Sequence, residues 1–111
     1  MGHGMYTLDG ETPVPETDLY KWGRFMESHN RIVAKTNVSD EVRVSTVFLG
    51  LDHNYYEGPP ILFETMIFGG KHDGYQERCA TWAEAEAMHD EAVSLAMGRQ
   101  MMEKIRKWFM K

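Results

Sequence analysis

Cysteine is nearly absent from the chain, and long apolar runs are missing. The single cysteine, Cys79, among 111 residues excludes an intramolecular disulfide and a zinc site built from several cysteines. No run approaches the ~20 apolar residues of a membrane span, and the first residues lack the apolar stretch of a signal peptide. We therefore expect a cytoplasmic protein that does not insert into a membrane.

Basic residues are scarce in most of the chain and concentrated at its end. Residues 1–96 contain 16 acidic and 7 basic residues, whereas 97–111 contain one acidic and five basic residues. An acidic body repels phosphate backbones, which argues against general DNA binding. The basic end leaves a local contact with a nucleic acid or a membrane surface open.

The composition is that of one folded domain, since 42% hydrophobic and 26% charged residues are ordinary values for globular proteins. A chain of this length buries enough surface to hold a core without disulfides or metals. We expect a flexible arm over 1–14 and a single α+β domain over 15–111, whose end, 97–111, forms a basic amphipathic helix.

Apolar periodicity predicts the elements of this domain. Pro15 suits a first helical turn, and Leu19, Trp22 and Phe25 follow at helical spacing, which predicts a helix over 15–29. Extended patterns follow over 32–35, 42–51, 61–68 and 75–80, with turn-rich segments between them. The order favours an antiparallel meander of three or four strands.

A long C-terminal helix is the clearest element, and we expect it to pack on the sheet. Thr81 and Glu84 have the spacing of a capping box. An apolar stripe of helical period follows: Ala85, Met88, Ala92 and Leu95. A continuous helix over 82–109 would be about 42 Å long, against a domain diameter of about 27 Å. Either the helix bends at Gly98, or its last turns project.

Three blocks of the sequence form a recognisable pattern: VSTVFLGLDH at 44–53, GPPILFETMIFGG at 58–70 and ATWAEAEA at 80–87. In this order they resemble small proteins of tailed bacteriophages and prophages to which no activity is assigned. Cys79 and Met88 stand where that pattern has an aromatic residue and a glycine, so neither is expected to carry obligatory chemistry. The resemblance implies a phage accessory gene product that works inside a bacterial host, and it transfers no functional residue.

The connection over 50–60 is the first candidate site, because it is longer than a tight hairpin needs. It carries polar and aromatic residues: Asp52, His53, Asn54, Tyr55, Tyr56 and Glu57. One interpretation is a partner-binding loop. A second is an ordinary turn in which Asp52 and Asn54 bond local amides and the tyrosines lie over the sheet edge. In a third, Asp52 orients His53 as a general base or metal ligand.

Other polar groups have simpler explanations. His53, His72 and His89 with nearby carboxylates contain the elements of a two-histidine, one-carboxylate metal site, but successive turns of a meander leave opposite ends of the sheet. We expect no metal and no cofactor. Cys79 is expected to be a packed hydrophobe, and Glu64 to pair with Arg43 or Arg78 across the strands.

The segment MMEKIRKWFMK at 101–111 is the second candidate site, with Trp108 and Phe109 among basic residues. It has three interpretations: packing on the N-terminal helix, a homodimer contact, or a contact with a foreign partner or a membrane. Together the patterns predict a non-enzymatic phage accessory protein that binds a host or phage macromolecule, with inhibition of a host enzyme or defence complex as one outcome. The alternatives are a homo-oligomeric virion protein and a small hydrolase that uses His53, with or without a metal.

Overall fold

The computed structural model describes the backbone of residues 4–109 and the side chains of 4–98, 106 and 108. It contains six strands and two helices in an α+β arrangement. In chain order the elements are β1 (Tyr6–Asp9), β2 (Thr12–Pro15), α1 (Leu19–Ser28), β3 (Ile32–Asn37), β4 (Arg43–Phe48), β5 (Phe63–Phe68), β6 (Gln76–Cys79) and α2 (Trp82–Phe109).

Strands β3 to β6 form one antiparallel sheet in which each strand pairs with its neighbour in sequence. The order of the strands is that of the predicted antiparallel meander, but their bounds differ: β3 extends beyond residue 35, and β4 ends before residue 51. One face of the two central strands is buried, and its residues are Val44, Thr46 and Phe48 on β4 with Phe63, Thr65 and Ile67 on β5. We call it the helix face, because α2 packs along it and contacts all four strands. The opposite side of the sheet is here called the open face.

Helix α1 covers one end of the helix face, where the Phe25 ring lies edge-on to Phe48 at 6.1 Å between centroids. It begins later than predicted. Asp18 is the N-cap, and its Oδ1 accepts hydrogen bonds from the backbone N–H groups of Tyr20 (2.9 Å) and Lys21 (3.2 Å). Leu19, the first residue of the predicted helical spacing, is the first residue of the helix and is 68% exposed. The prediction of a helix start at residue 15 is therefore wrong.

Residues 6–15 form a β-hairpin, where the sequence predicted a flexible arm over 1–14. Strand β1 pairs antiparallel with β2 around a turn at Gly10, whose φ is +62°. Tyr6 and Leu8 pack against the cluster that contains Phe25 and Phe48. This packing orders the segment, since it removes apolar surface from water. Residues 1–3 of the predicted arm lie outside the described residues.

Helix α2 begins with the predicted capping box. The N–H of Glu84 donates to Thr81 Oγ1, and the N–H of Thr81 donates to a carboxylate oxygen of Glu84, each at 3.1 Å. The helical conformation is interrupted at Gly98, where φ is +46° and ψ is −134°. The helix therefore bends at this glycine, the first of the two predicted alternatives. Across residues 4–109, neither helix is both long and apolar enough to cross a bilayer.

Candidate functional site

The connection from β4 to β5 is held in one shape by hydrogen bonds to two side chains. Asp52 Oδ1 accepts from the backbone N–H of Asn54 (2.7 Å) and from that of Ile61 (2.9 Å), so it ties the two ends of the loop together. Asn54 Oδ1 accepts from the N–H of Tyr56 at 2.9 Å, and Asn54 Nδ2 donates to the carbonyl of Pro59 at 2.8 Å. The predicted turn, in which Asp52 and Asn54 bond local amides, is confirmed.

The base of this loop is also fastened to the rest of the protein. The N–H of Asp52 donates to the carbonyl of Gly4 at 2.9 Å, and that of Tyr6 donates to the carbonyl of Gly50 at 2.8 Å. Trp22 Nε1 on α1 donates to the same Gly50 carbonyl at 2.9 Å. Gly50 has a φ of +77°, and a Cβ there would lie 2.5 Å from the Met26 sulfur. The loop is thus anchored where the hairpin and α1 meet the sheet.

At its tip the loop presents two tyrosines to solvent. Tyr55 is 59% exposed and Tyr56 is 83% exposed, and Glu57 is exposed beside them. Exposed aromatic rings on a loop with few accessible conformations are typical of protein interfaces, because little conformational entropy is lost on binding. We call residues 52–57 the tyrosine loop.

The same bonds argue against a catalytic pair of Asp52 and His53. One carboxylate oxygen of Asp52 already accepts from two backbone amides. Among the described residues, no hydrogen bond joins the Asp52 carboxylate to the His53 imidazole, although a general base is normally oriented by such a bond. Within the described part of the chain, His53 therefore lacks the orienting carboxylate that the catalytic interpretation requires.

His89 lies in the core, and its environment differs from a metal site. It is 4% exposed, and each ring nitrogen contacts a threonine hydroxyl: Nδ1 lies 2.8 Å from Thr46 Oγ1, and Nε2 lies 2.8 Å from Thr36 Oγ1. Thr46 in turn bonds the hydroxyl of Thr65. Burial lowers the pKa of His89, and the charge of Asp90 opposes this shift more weakly. The imidazole is thus a neutral member of a polar network between α2 and the sheet.

The candidate metal ligands do not come together. His53 lies on the connection from β4 to β5 and His72 on the connection from β5 to β6, at opposite ends of the sheet. Both ring nitrogens of His89 are occupied by threonines. In the part of the chain that the structure describes, no three His, Cys, Asp or Glu side chains are placed to hold a metal ion.

Two further polar groups lie where the sequence placed them. Arg78 Nε donates to Glu64 at 2.9 Å across the open face, which selects one of the two predicted partners. Arg43, the other, lies over the Phe68 ring with its guanidinium carbon 4.6 Å from the centroid. Cys79 packs against the core, and burial, with a smaller contribution from Glu84, raises the pKa of its thiol to about 11. A thiol with this pKa is a poor nucleophile near neutral pH.

The C-terminal candidate site is described only in part. Trp108 is 71% exposed, so its ring is not buried against α1 as one interpretation expected. Phe109 is the last residue of α2, and its side chain lies outside the described residues. Leu19, on the helix that was expected to receive this segment, is also largely exposed.

Comparison with known proteins adds no assignment. No protein-family model matches the sequence, and a search of curated proteins and a search of solved structures each found no match. Function is therefore inferred from the geometry of this chain.

Proposed function

We propose that this protein is a non-enzymatic phage accessory protein that acts in the bacterial cytoplasm by binding a host or phage protein through the tyrosine loop. The observation that carries the proposal is the loop itself. Four hydrogen bonds between the loop backbone and the side chains of Asp52 and Asn54 hold its shape, while Tyr55 and Tyr56 are more than half exposed at its tip. Inhibition of a host enzyme or defence complex is one consequence that such binding would have.

The polar side chains of the loop support binding rather than catalysis. Asp52 is used to shape the backbone, and His53 has no orienting carboxylate among the described residues. Interface energy is concentrated in a few aromatic anchors, and removal of such an anchor costs more than 1 kcal/mol as a rule. We therefore assign the anchoring role to Tyr55 and Tyr56, with Glu57 at the rim.

A pull-down from bacterial lysate tests the proposal, read by mass spectrometry and followed by titration of the recovered protein. The bait is the tagged full chain, compared with the double variant Tyr55→Ala/Tyr56→Ala. The matched control is Tyr20→Ala, which removes a tyrosine that is 71% exposed on α1. We expect the wild type and the control to bind one protein equally and the double variant to bind at least tenfold more weakly. Equal binding by both variants would overturn the assignment, as would recovery of background proteins only.

Self-association through the C-terminal helix is a second candidate function, as in a homo-oligomeric virion component. The observation that favours it is the 71% exposure of Trp108 on a helix that continues beyond the bend at Gly98. Sedimentation of the wild type and of Trp108→Ala over a hundredfold concentration range tests it. A wild type that stays monomeric throughout would exclude this candidate.

A further inference from the structure

The open face of the sheet has an apolar stripe that no described element covers. Strand pairing places its residues in three rows: Asn37, Arg43 and Phe68; Lys35, Ser45, Met66 and Gln76; and Ile32, Val47, Glu64 and Arg78. Ile32 is 47% exposed and Phe68 is 38% exposed. The apolar members run diagonally across the rows, from Ile32 through Val47 and Met66 to Phe68. We call these four residues the diagonal stripe.

Unpaired cations lie along one side of this stripe. The negative charge of Glu64 is balanced by Arg78, whose Nε donates to the carboxylate at 2.9 Å. Gln76 Nε2 donates to the same carboxylate at 2.7 Å. Within the described residues, Lys35 and Arg43 form no ion pair. Residues 1–96 as a whole carry more than twice as many acidic as basic residues. A basic strip on such a body is complementary to a partner that carries carboxylates.

The area of the open face limits the kind of partner that it can bind. Four strands spaced about 4.8 Å apart, with about six residues each, give a face of about 20 by 20 Å. This area of about 400 Å² is half of the roughly 800 Å² that each partner buries in a stable protein–protein interface. A second copy docked sheet to sheet would therefore be held weakly by this face alone. A single narrow element covers it better.

The stripe has the length of three turns of helix. Ile32 and Phe68 are two rows and two strands apart, which is about 16 Å, and eleven residues of α-helix span about the same distance. Apolar residues at i, i+4, i+7 and i+11 of a partner helix would lie over the four members of the stripe. Carboxylates on the flank of that helix would then face Lys35 and Arg43.

We propose that the open face binds an acidic amphipathic helix of another protein, with its apolar side on the diagonal stripe and its carboxylates against Lys35 and Arg43. This surface lies on the sheet, apart from the tyrosine loop, and does not depend on the function proposed above. Single-stranded nucleic acid is the less favoured occupant, because residues 1–96 carry an excess of acidic residues that repels a polyanion.

The test uses the full-length protein and two synthetic fourteen-residue peptides. The first has leucine at i, i+4, i+7 and i+11 and glutamate on the flank, and the second has lysine in place of each glutamate. Binding is measured by fluorescence anisotropy, and the site is mapped by amide shifts in ¹⁵N-labelled protein. We expect the acidic peptide to bind at least tenfold more tightly than the basic one and to shift the amides of β3, β4 and β5.

Variants separate this face from a general charge effect. Lys35→Glu/Arg43→Glu is expected to lower the affinity for the acidic peptide at least fivefold, and Phe68→Ala is expected to lower it as well. The matched control Lys21→Glu/Arg24→Glu makes the same change of net charge at two exposed positions on α1, and it should leave binding within twofold. Circular dichroism and thermal unfolding confirm that each variant is folded.

A second pair of substitutions is expected to strengthen binding of the acidic peptide rather than weaken it. Asp40 and Glu41 lie in the turn between β3 and β4, at the end of the face where Arg43 lies. Because their carboxylates repel an acidic partner, the variant Asp40→Asn/Glu41→Gln should bind the acidic peptide about twofold more tightly.

Four outcomes would overturn the proposal. These are equal affinity for the two peptides, shifts confined to another surface, tighter binding of a fifteen-residue oligouridine than of the acidic peptide, and a self-association in sedimentation that Phe68→Ala abolishes.

Discussion

Lowering the pH from 7.5 to 5.5 is expected to destabilise the protein through His89. This side chain is 4% exposed, and among the described residues its ring nitrogens bond the neutral hydroxyls of Thr36 and Thr46. Burial lowers the pKa of His89 in the folded state, whereas in the unfolded chain the pKa is the ordinary value of about 6.5. Below that pH the unfolded state therefore binds a proton that the folded state resists.

The sign and the upper limit follow from proton linkage. The free energy of unfolding has its full value above the pKa that His89 has in the unfolded chain. It falls as the pH drops below that pKa, because the unfolded state then binds more protons than the folded state. If His89 stays neutral in the folded protein, an unfolded pKa of about 6.5 gives a loss of about 1.4 kcal/mol between pH 7.5 and pH 5.5. This is a substantial part of the roughly 5–15 kcal/mol that stabilises a typical domain.

Urea unfolding, followed by tryptophan fluorescence at pH 7.5, 6.5 and 5.5, measures this loss. The wild type is compared with His89→Gln, which keeps a polar side chain but does not titrate in this range. The control is His72→Gln, in the turn after β5. The variant at 89 should be less stable at pH 7.5 but should lose less stability on acidification, by up to about 1.4 kcal/mol, whereas the control should follow the wild type. An equal loss for the wild type and His89→Gln would refute the reasoning.

Three further predictions concern stability and are checked by the same urea unfolding at pH 7.5. Thr46→Val removes a hydroxyl that bonds two buried groups, so it should cost about 1–3 kcal/mol, while Thr46→Ser should cost less. Gly69→Ala should lower the free energy of unfolding more than Gly74→Ala does. Both glycines have φ near +90°, but a Cβ at Gly69 would clash with the carbonyl oxygen of Glu41, whereas a Cβ at Gly74 would meet nothing within 4 Å. The difference isolates the steric clash from the strain of about 1–2 kcal/mol that both share. Thr81→Ala removes the cap of α2 and should cost about 1 kcal/mol.

The sheet was predictable because its strands pair in chain order and alternate between faces. The register only had to bring the buried positions together, and a shift by one residue would have exposed them. The hairpin of β1 and β2 was missed although Asp9–Gly10 is a hairpin signal. The mixture of glycine, threonine and proline over 6–14 predicted an extended or irregular arm, yet a proline such as Pro13 is tolerated on edge strands.

The start of α1 shows a competition between local signals. Pro15 fits a first helical turn, but the same residue pairs with Tyr6 in the hairpin. Asp18 then caps the helix. Long-range pairing therefore decided the boundary, and a pattern that extends over a few residues does not reveal such pairing.

The predicted apolar stripe of α2 is correct at Ala85 and Ala92, which are buried, and differs from the structure between them. Hydrophobicity favoured Met88, whereas the structure buries His89 between Ala85 and Ala92. Threonine hydroxyls on two strands, β3 and β4, bond the imidazole and make this burial favourable, and their approach depends on the tertiary fold. For the tyrosine loop, the sequence identified the turn bonds and the aromatic residues. The exposure of the two rings needed the structure.

The two alanines beside His89 have a consequence for what can be observed in solution. Ala85 and Ala92 lie one turn on either side of His89, and both are fully buried. Small side chains let a helix approach a sheet closely, so little space remains for water around the Thr46–His89 contact. Hydroxyl and imidazole protons normally exchange with water too fast to give resolved signals. Here the proton of the hydrogen bond between Thr46 Oγ1 and His89 Nδ1 is expected to give a resolved downfield resonance in proton NMR. This resonance would report directly on the exclusion of water from the core.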